Sequence, residues 1–233
     1  MPTRIWVLII LTSTMFGVSD SAAQLTPSAK VEMVPWGEAE VPLEQIESIA
    51  EGLHPNNTGT SNPDRINPVL LQSILKDTAF LNSRWHLNKG EPIPRDYVAS
   101  LTLDADQIAW TKENGIKDSN KTINVILQNV ADDLRIKASH CEASARGWAS
   151  LITVSINTVK ADRTAISGLE VWYVPKGWAD FKDRWNRCRT LSSPSAQNLA
   201  PGLYMMRVSN GDAVPVPIGG DGKDTTSVDL LVP

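Results

Sequence analysis

The spacing of apolar residues changes near Trp148. Before that point they recur every three or four positions, which is the period of an α-helix with one buried face. After it they alternate with polar residues, as in Ile152, Val154 and Ile156, which is the period of a half-buried β-strand. The change predicts an α+β protein, with an α-helical region over residues 43–147 and a β-sandwich over residues 148–233.

The front half contains four segments with the helical repeat, which predict helices at 43–53, 68–84, 97–113 and 121–145. In the third segment the run 101–103 could instead separate two shorter helices. Asn67 and Pro68 form a helix-start signal, because an asparagine side chain can cap the first turn and a proline there loses no hydrogen bond. The last segment has the longest apolar stripe. Residues 24–42 carry several prolines and few periodic apolar residues, which predicts an extended or disordered lead.

In the back half, the alternation of apolar and polar residues predicts strands and identifies the residues that face inward. They are Leu169, Val171 and Tyr173; Tyr204, Met206 and Val208; Val214, Val216 and Ile218; and Val228, Leu230 and Val232. Pro215 and Pro217 lack N–H groups on one edge of their strand. We therefore expect that strand to lie at the outside of a sheet.

The N-terminus predicts export. Arg4 precedes an apolar run, and the small residues Ser21, Ala22 and Ala23 form a cleavage site, so residues 1–23 are predicted to be a signal peptide. The apolar run is too short to span a bilayer comfortably, so no membrane span is expected after cleavage. The alternative is that residues 1–23 stay attached as an amphipathic anchor. The mature protein is predicted to be periplasmic or extracellular.

The charge of the chain argues against nucleic acid as a partner, and its two cysteines predict a disulfide. The net charge of −4 is unchanged by signal cleavage, and no basic run offers an electrostatic surface for nucleic acid. In an oxidising compartment Cys141 and Cys188 are expected to form a disulfide, with two buried thiols as the alternative. No metal site or cofactor is predicted, since no pattern typical of a metal site accompanies these residues.

The back half resembles a known β-sandwich family. The runs SGLEVWYVP at 167–175, LAPGLYMMRV at 199–208 and VDLLVP at 228–233 are similar to the transthyretin-like (prealbumin-like) domain, the fold of the regulatory domain attached to some carboxypeptidases. A helical front joined to such a module also resembles a group of bacterial exported proteins. The resemblance implies a Greek-key sandwich that acts as an accessory or binding module without catalysis. The chain lacks the zinc signature of the peptidase half.

The segment 176–188 between two predicted strands is the candidate binding surface. With the nearby Trp172 it collects aromatic and charged side chains, of which the candidates are Trp172, Trp178, Phe181, Trp185 and Arg184. Aromatic faces flanked by charges suit stacking on sugar rings or holding a peptide. The alternative is that the aromatic residues only pack a short helix over the sandwich edge.

Other residues that could take part in catalysis or metal binding form less specific patterns. His140 and Cys141 could form a nucleophilic pair, but adjacent helical residues point in different directions. The acidic pairs Asp104/Asp106, Asp132/Asp133 and Asp221/Asp224 are expected to be solvated, since none has the pattern of a calcium loop.

Taken together, the sequence predicts a non-enzymatic exported protein that recognises a protein or glycan of the cell envelope. Two alternatives stay open. One is an envelope hydrolase whose helical region brings Asp residues together with His54, His86 or His140. The other is a structural subunit that assembles with other copies or partners.

Overall fold

A computed structural model describes residues 31–53, 66–87, 91–114, 120–144, 150–180, 182–189, 195–209 and 211–232. The predicted signal peptide and Phe181 lie outside these ranges. The described residues mix helices with sheets, as the α+β prediction requires. We refer to residues 37–144 as the helical part and to residues 150–232 as the β-rich part.

The helical part contains the four predicted helices. Their bounds are α1 Gly37–Leu53, α2 Pro68–Leu87, α3 Arg95–Asn114 and α4 Asn120–Ala143. The predicted cap of α2 is present, because the side-chain Oδ1 of Asn67 accepts a hydrogen bond from the Val69 amide at 3.0 Å. The apolar stripe of α4 packs into one core with residues from the other three helices.

The lead predicted to be extended or disordered is partly structured. Strand β1, Met33–Val34, pairs antiparallel with β2, Ile93–Pro94, and α1 begins at Gly37. The prediction placed the start of α1 after Pro42, but Pro42 lies inside the helix near its beginning. Pro42 is the sixth residue of α1, so the helix lacks the hydrogen bond that an amide at this position would donate to the Glu38 carbonyl. The helix includes this first turn because Ala39 is buried in the same core as Leu43 and Ile46.

The described residues of the β-rich part form two sheets. In the first, β3 (Ile152–Val159) pairs parallel with β10 (Thr225–Leu231) and antiparallel with β4 (Ala165–Ile166) and β7 (Ser195–Leu199). The second is antiparallel with the order β6 (Asn186–Arg189), β5 (Glu170–Pro175), β8 (Gly202–Val208), β9 (Val214–Ile218). Strand β9 carries Pro215 and Pro217 and lies at the sheet edge, which confirms the proline-based prediction.

Residues of both sheets share one hydrophobic core. Most of the residues predicted to face inward are buried in it, namely Ile152, Val154, Ile156, Val171, Tyr204, Met206, Val208, Val216, Ile218 and Leu230. The other predicted inward residues are only partly buried and pack against this core, namely Leu169, Tyr173, Val214, Val228 and Val232. Strands β6 and β7 were not predicted, because their residues show no apolar alternation. None of the helices in the described ranges has an apolar run that could span a bilayer.

The structure contains no disulfide among the described residues, and Cys141 is a buried thiol, as the alternative prediction has it. Cys141 is buried in the helical core, where burial raises the pKa of its thiol to about 11. The backbone of Cys188 is opposite Val171 in the second sheet, but its side chain lies outside the described part of the chain. The expected disulfide is therefore not found in the part of the chain that the structure describes.

Candidate functional site

One face of α4 carries polar side chains toward the β-rich part. Asp133, Lys137 and His140 are spaced by four and three positions, so they share a face about a quarter turn from the apolar stripe. Lys137 and His140 are buried, and so is Ser144 one turn further on. Buried polar groups need partners, and these partners come from α3 and from the β-rich part.

Lys137 lies between two carboxylates. Its Nζ is 3.0 Å from Oδ2 of Asp104 on α3, and it also contacts Oδ2 of Asp133 one turn earlier on α4. The exposed fractions of the Lys137, Asp104 and Asp133 side chains are 0%, 1% and 13%. We call these three residues the buried triad. The triad connects α3 to α4 through interactions that water does not screen.

Burial moves the two fully enclosed groups of the triad toward their neutral forms. It raises the pKa of Asp104 above the usual value, although the charge of Lys137 opposes the shift. Burial likewise lowers the pKa of Lys137, against the attraction of Asp104. The free-energy cost of removing the two charges from water is therefore larger than the gain from their mutual attraction.

The triad also contacts the β-rich part. Oδ1 of Asp133 accepts a hydrogen bond from the Leu203 amide at 2.6 Å, at the beginning of β8. A Cβ atom on Gly202 would lie 2.5 Å from the same oxygen, so only glycine allows this approach. Asp133 therefore links α4 to the second sheet and keeps one oxygen bound to a backbone donor.

His140 occupies a second contact between the two parts. Its Nε2 is 3.4 Å from Oγ of the buried Ser150, and its Nδ1 lies against Gly219 in the loop before β10. Burial lowers the pKa of His140, while the nearby Asp221 and Asp224 have the opposite, smaller effect. The adjacent Cys141 belongs to the helical core, so the two side chains point apart as predicted. Ser150 and His140 are enclosed, which leaves a substrate no access to them.

The expectation that the acidic pairs are solvated is wrong for Asp104 and Asp133. Charged groups avoid burial unless they are paired, and the pairing partner of Asp104 is 33 positions away in sequence. The spacing of Asp133, Lys137 and His140 on one helical face was the signal in the sequence that could have indicated this polar contact. Within the described ranges, no group of three or more His, Cys, Asp or Glu side chains has a metal-binding arrangement.

A cleft of about 250 Å³ lies between α3 and the β-rich part. The α3 wall includes Asp96, Ala99, Ser100 and Leu103, and the opposite wall includes Tyr173, Pro175, Trp178, Asn186, Asn198, Leu199, Ala200 and Tyr204. Hydrogen bonds orient its tyrosines: Tyr204 Oη donates to the Ala200 carbonyl at 3.1 Å, and Tyr173 Oη donates to Gln197 Oε1 at 3.1 Å. The cleft thus combines aromatic rings with carboxylate and amide groups.

The structure separates the candidate binding residues into two groups. Trp178 lines the cleft, and the Arg184 guanidinium lies 5.0 Å from its ring centre. Trp172 and Trp185 instead flank Arg207, whose guanidinium lies 5.9 Å and 4.7 Å from their ring centres. The Trp185 indole also donates to the Ala179 carbonyl at 3.0 Å. The predicted short helix in this segment is replaced by two single 3₁₀ turns, at Lys176–Trp178 and Lys182–Arg184.

Comparisons with known proteins identify no family. No family model matches the chain, and no curated protein sequence is significantly similar to it. Among solved structures, a C-terminal fragment of the pilus adhesin SpaC from Lactobacillus rhamnosus GG is 12% identical over 35% of this chain and 44% of that fragment, with a TM-score of 0.26. An (S)-allantoin synthase is 11% identical over 85% of this chain and 96% of the enzyme, with a TM-score of 0.24. Scores this low indicate only distant structural similarity.

Proposed function

We propose that this protein is an exported, non-enzymatic binding protein of the cell envelope, and that a glycan is the ligand its cleft fits best. The observation that supports the proposal is the combination of Trp178 and Tyr173 with Asp96, Asn186 and Asn198 around one opening. Aromatic rings offer an apolar face to the C–H groups of a sugar. Carboxylate and amide groups supply the polar contacts that set its orientation.

The size of the cleft favours a subsite for one part of a longer ligand. Its volume of about 250 Å³ is below the range of roughly 300–1,000 Å³ common for sites that enclose a whole small molecule. One sugar ring of a chain, or one amino-acid side chain of a protein, is a better match. The transthyretin-like assignment of the β-rich part belongs to the same proposal, supported by two sheets that share one core.

The test is co-sedimentation of the full mature chain with insoluble cell-wall polysaccharide. Trp178→Ala should reduce binding about tenfold, because tenfold equals about 1.4 kcal/mol, a magnitude that loss of one stacked aromatic ring can reach. Trp110→Ala is the matched control, since Trp110 is 39% exposed on α3 and does not line the cleft. It should leave binding unchanged.

Two results would contradict the proposal in different ways. Equal binding by wild type and the Trp178 variant would remove the cleft as the recognition site. Absence of polysaccharide binding, together with Trp178-dependent capture of an envelope protein, would retain the cleft but replace the ligand class. The thermal midpoint of each variant must be measured alongside, since a large drop for Trp178→Ala would indicate that this ring mainly supports the fold.

A further inference from the structure

We propose that Lys137 and Asp104 react with each other to form an intramolecular amide bond, with Asp133 as the catalytic base. The bond would join the side chains of α4 and α3 covalently beneath the start of β8. The proposal is independent of the function proposed above. It rests on the geometry and enclosure of the buried triad.

The reacting groups are already in contact. Lys137 Nζ lies 3.0 Å from Oδ2 of Asp104, which places the nitrogen close to the carboxyl carbon that it would attack. Positioning of this kind replaces an encounter between two separate molecules and supplies a large share of the rate of an intramolecular reaction. The exposed fractions of the two side chains, 0% and 1%, show that bulk water does not reach them.

Enclosure also favours the protonation states that the reaction needs. In water an amine and a carboxylic acid form a charged pair, which does not condense. Burial disfavours both charges and shifts the two groups toward a neutral amine and a neutral acid. A neutral amine is a nucleophile, and a protonated carboxyl can lose its hydroxyl as water.

Asp133 is the carboxylate suited to move the proton. One of its oxygens contacts Lys137, and the other accepts a hydrogen bond from the Leu203 amide, which holds the carboxylate in place beside Nζ. Asp133 removes a proton from Nζ as the nitrogen bonds to Cγ of Asp104. It then gives that proton to the departing hydroxyl of Asp104. One C–N bond forms, one C–O bond breaks, and one water molecule is released, with no oxidant or reductant required.

The test is peptide mapping of the purified, reduced and alkylated full chain. Trypsin does not cut after an acylated lysine, so the link predicts that peptide 136–146 remains uncut at Lys137 and is joined to peptide 96–112, which contains Asp104. The mass of the joined pair should be lower than the sum of the two peptides by one water. Recovery of the two peptides unlinked, with normal cleavage after Lys137, would overturn the proposal. So would a link to peptide 122–135, which contains Asp133.

Variants test the role of Asp133. Asp133→Asn should lose the link while its near-ultraviolet circular dichroism stays that of a folded protein. Asp132→Asn is the matched control, because Asp132 is the adjacent carboxylate and accepts a hydrogen bond from Gln128 outside the triad. It should retain the link. A folded Asp133→Asn protein that forms the link as fully as wild type would remove Asp133 from the reaction, and if this variant does not fold, the wild-type map still decides whether the bond exists.

Discussion

Replacing Gly222 with alanine should destabilise the fold more than the same change at Gly220. Both glycines have positive φ, 73° and 94°, in the loop between β9 and β10. A side chain in this left-handed region costs about 1–2 kcal/mol. Around Gly220 there is open space, whereas a Cβ atom on Gly222 would overlap the backbone carbonyl of Ala143 at the end of α4.

The expected losses of unfolding free energy follow from backbone strain and from the overlap with Ala143. Gly220→Ala should lower the free energy of unfolding by about 1–2 kcal/mol, from backbone strain alone. Gly222→Ala adds an overlap with backbone atoms, and overpacking of this kind typically costs about 1–3 kcal/mol more. The total expected for Gly222→Ala is therefore about 2–5 kcal/mol.

The assay is urea unfolding of the full chain followed by far-ultraviolet circular dichroism, with the shift in midpoint converted through the common slope. Gly220→Ala serves as the matched control for backbone strain. Equal losses for the two variants would refute the reasoning. They would mean that the loop does not pack against the end of α4.

Three further predictions concern single side chains. Trp185→Phe should cost about 0.5–1.5 kcal/mol in urea unfolding, because it removes the indole hydrogen bond to Ala179; an unchanged midpoint would contradict that role. The pKa of His140 is lower in the folded state than in the unfolded state, so below pH 6.5 the unfolded state binds more protons and the protein loses stability as the pH falls. His140→Gln should make this loss of unfolding free energy smaller. An equal dependence of the unfolding free energy on pH in wild type and variant would contradict the prediction. Asn67→Ala should cost about 1 kcal/mol through loss of the α2 cap, measured as a lower thermal midpoint, and an unchanged midpoint would argue against the cap.

The sequence predicted those features that depend on local patterns. The stripe of α4 and the inward residues of β3 and β8 repeat with the period of their own element, so burial of Leu134, Val154 or Met206 follows from spacing alone. The edge position of β9 follows from Pro215 and Pro217, which cannot donate to a neighbouring strand. Strands β6 and β7 were missed, because short polar strands are stabilised by their neighbours in the sheet.

The candidate site depended on contacts between distant residues. Nothing near Asp104 in sequence indicates that it is buried, because its partner Lys137 lies on another helix. The cleft likewise needs both parts of the molecule, since Asp96 comes from α3 and Trp178 from the β-rich part. The spacing of aromatic residues predicted a single binding surface that includes Trp178 and Trp185. In the structure Trp178 lines the cleft, whereas Trp185 packs on Arg207.

The helical and β-rich parts pack into one unit through the polar face of α4, and the cleft exists only because they do. Differential scanning calorimetry of the whole chain distinguishes one packed unit from two independent ones. We expect one cooperative transition in which the calorimetric and van't Hoff enthalpies agree. Two separate transitions, each matching one part of the chain, would contradict it.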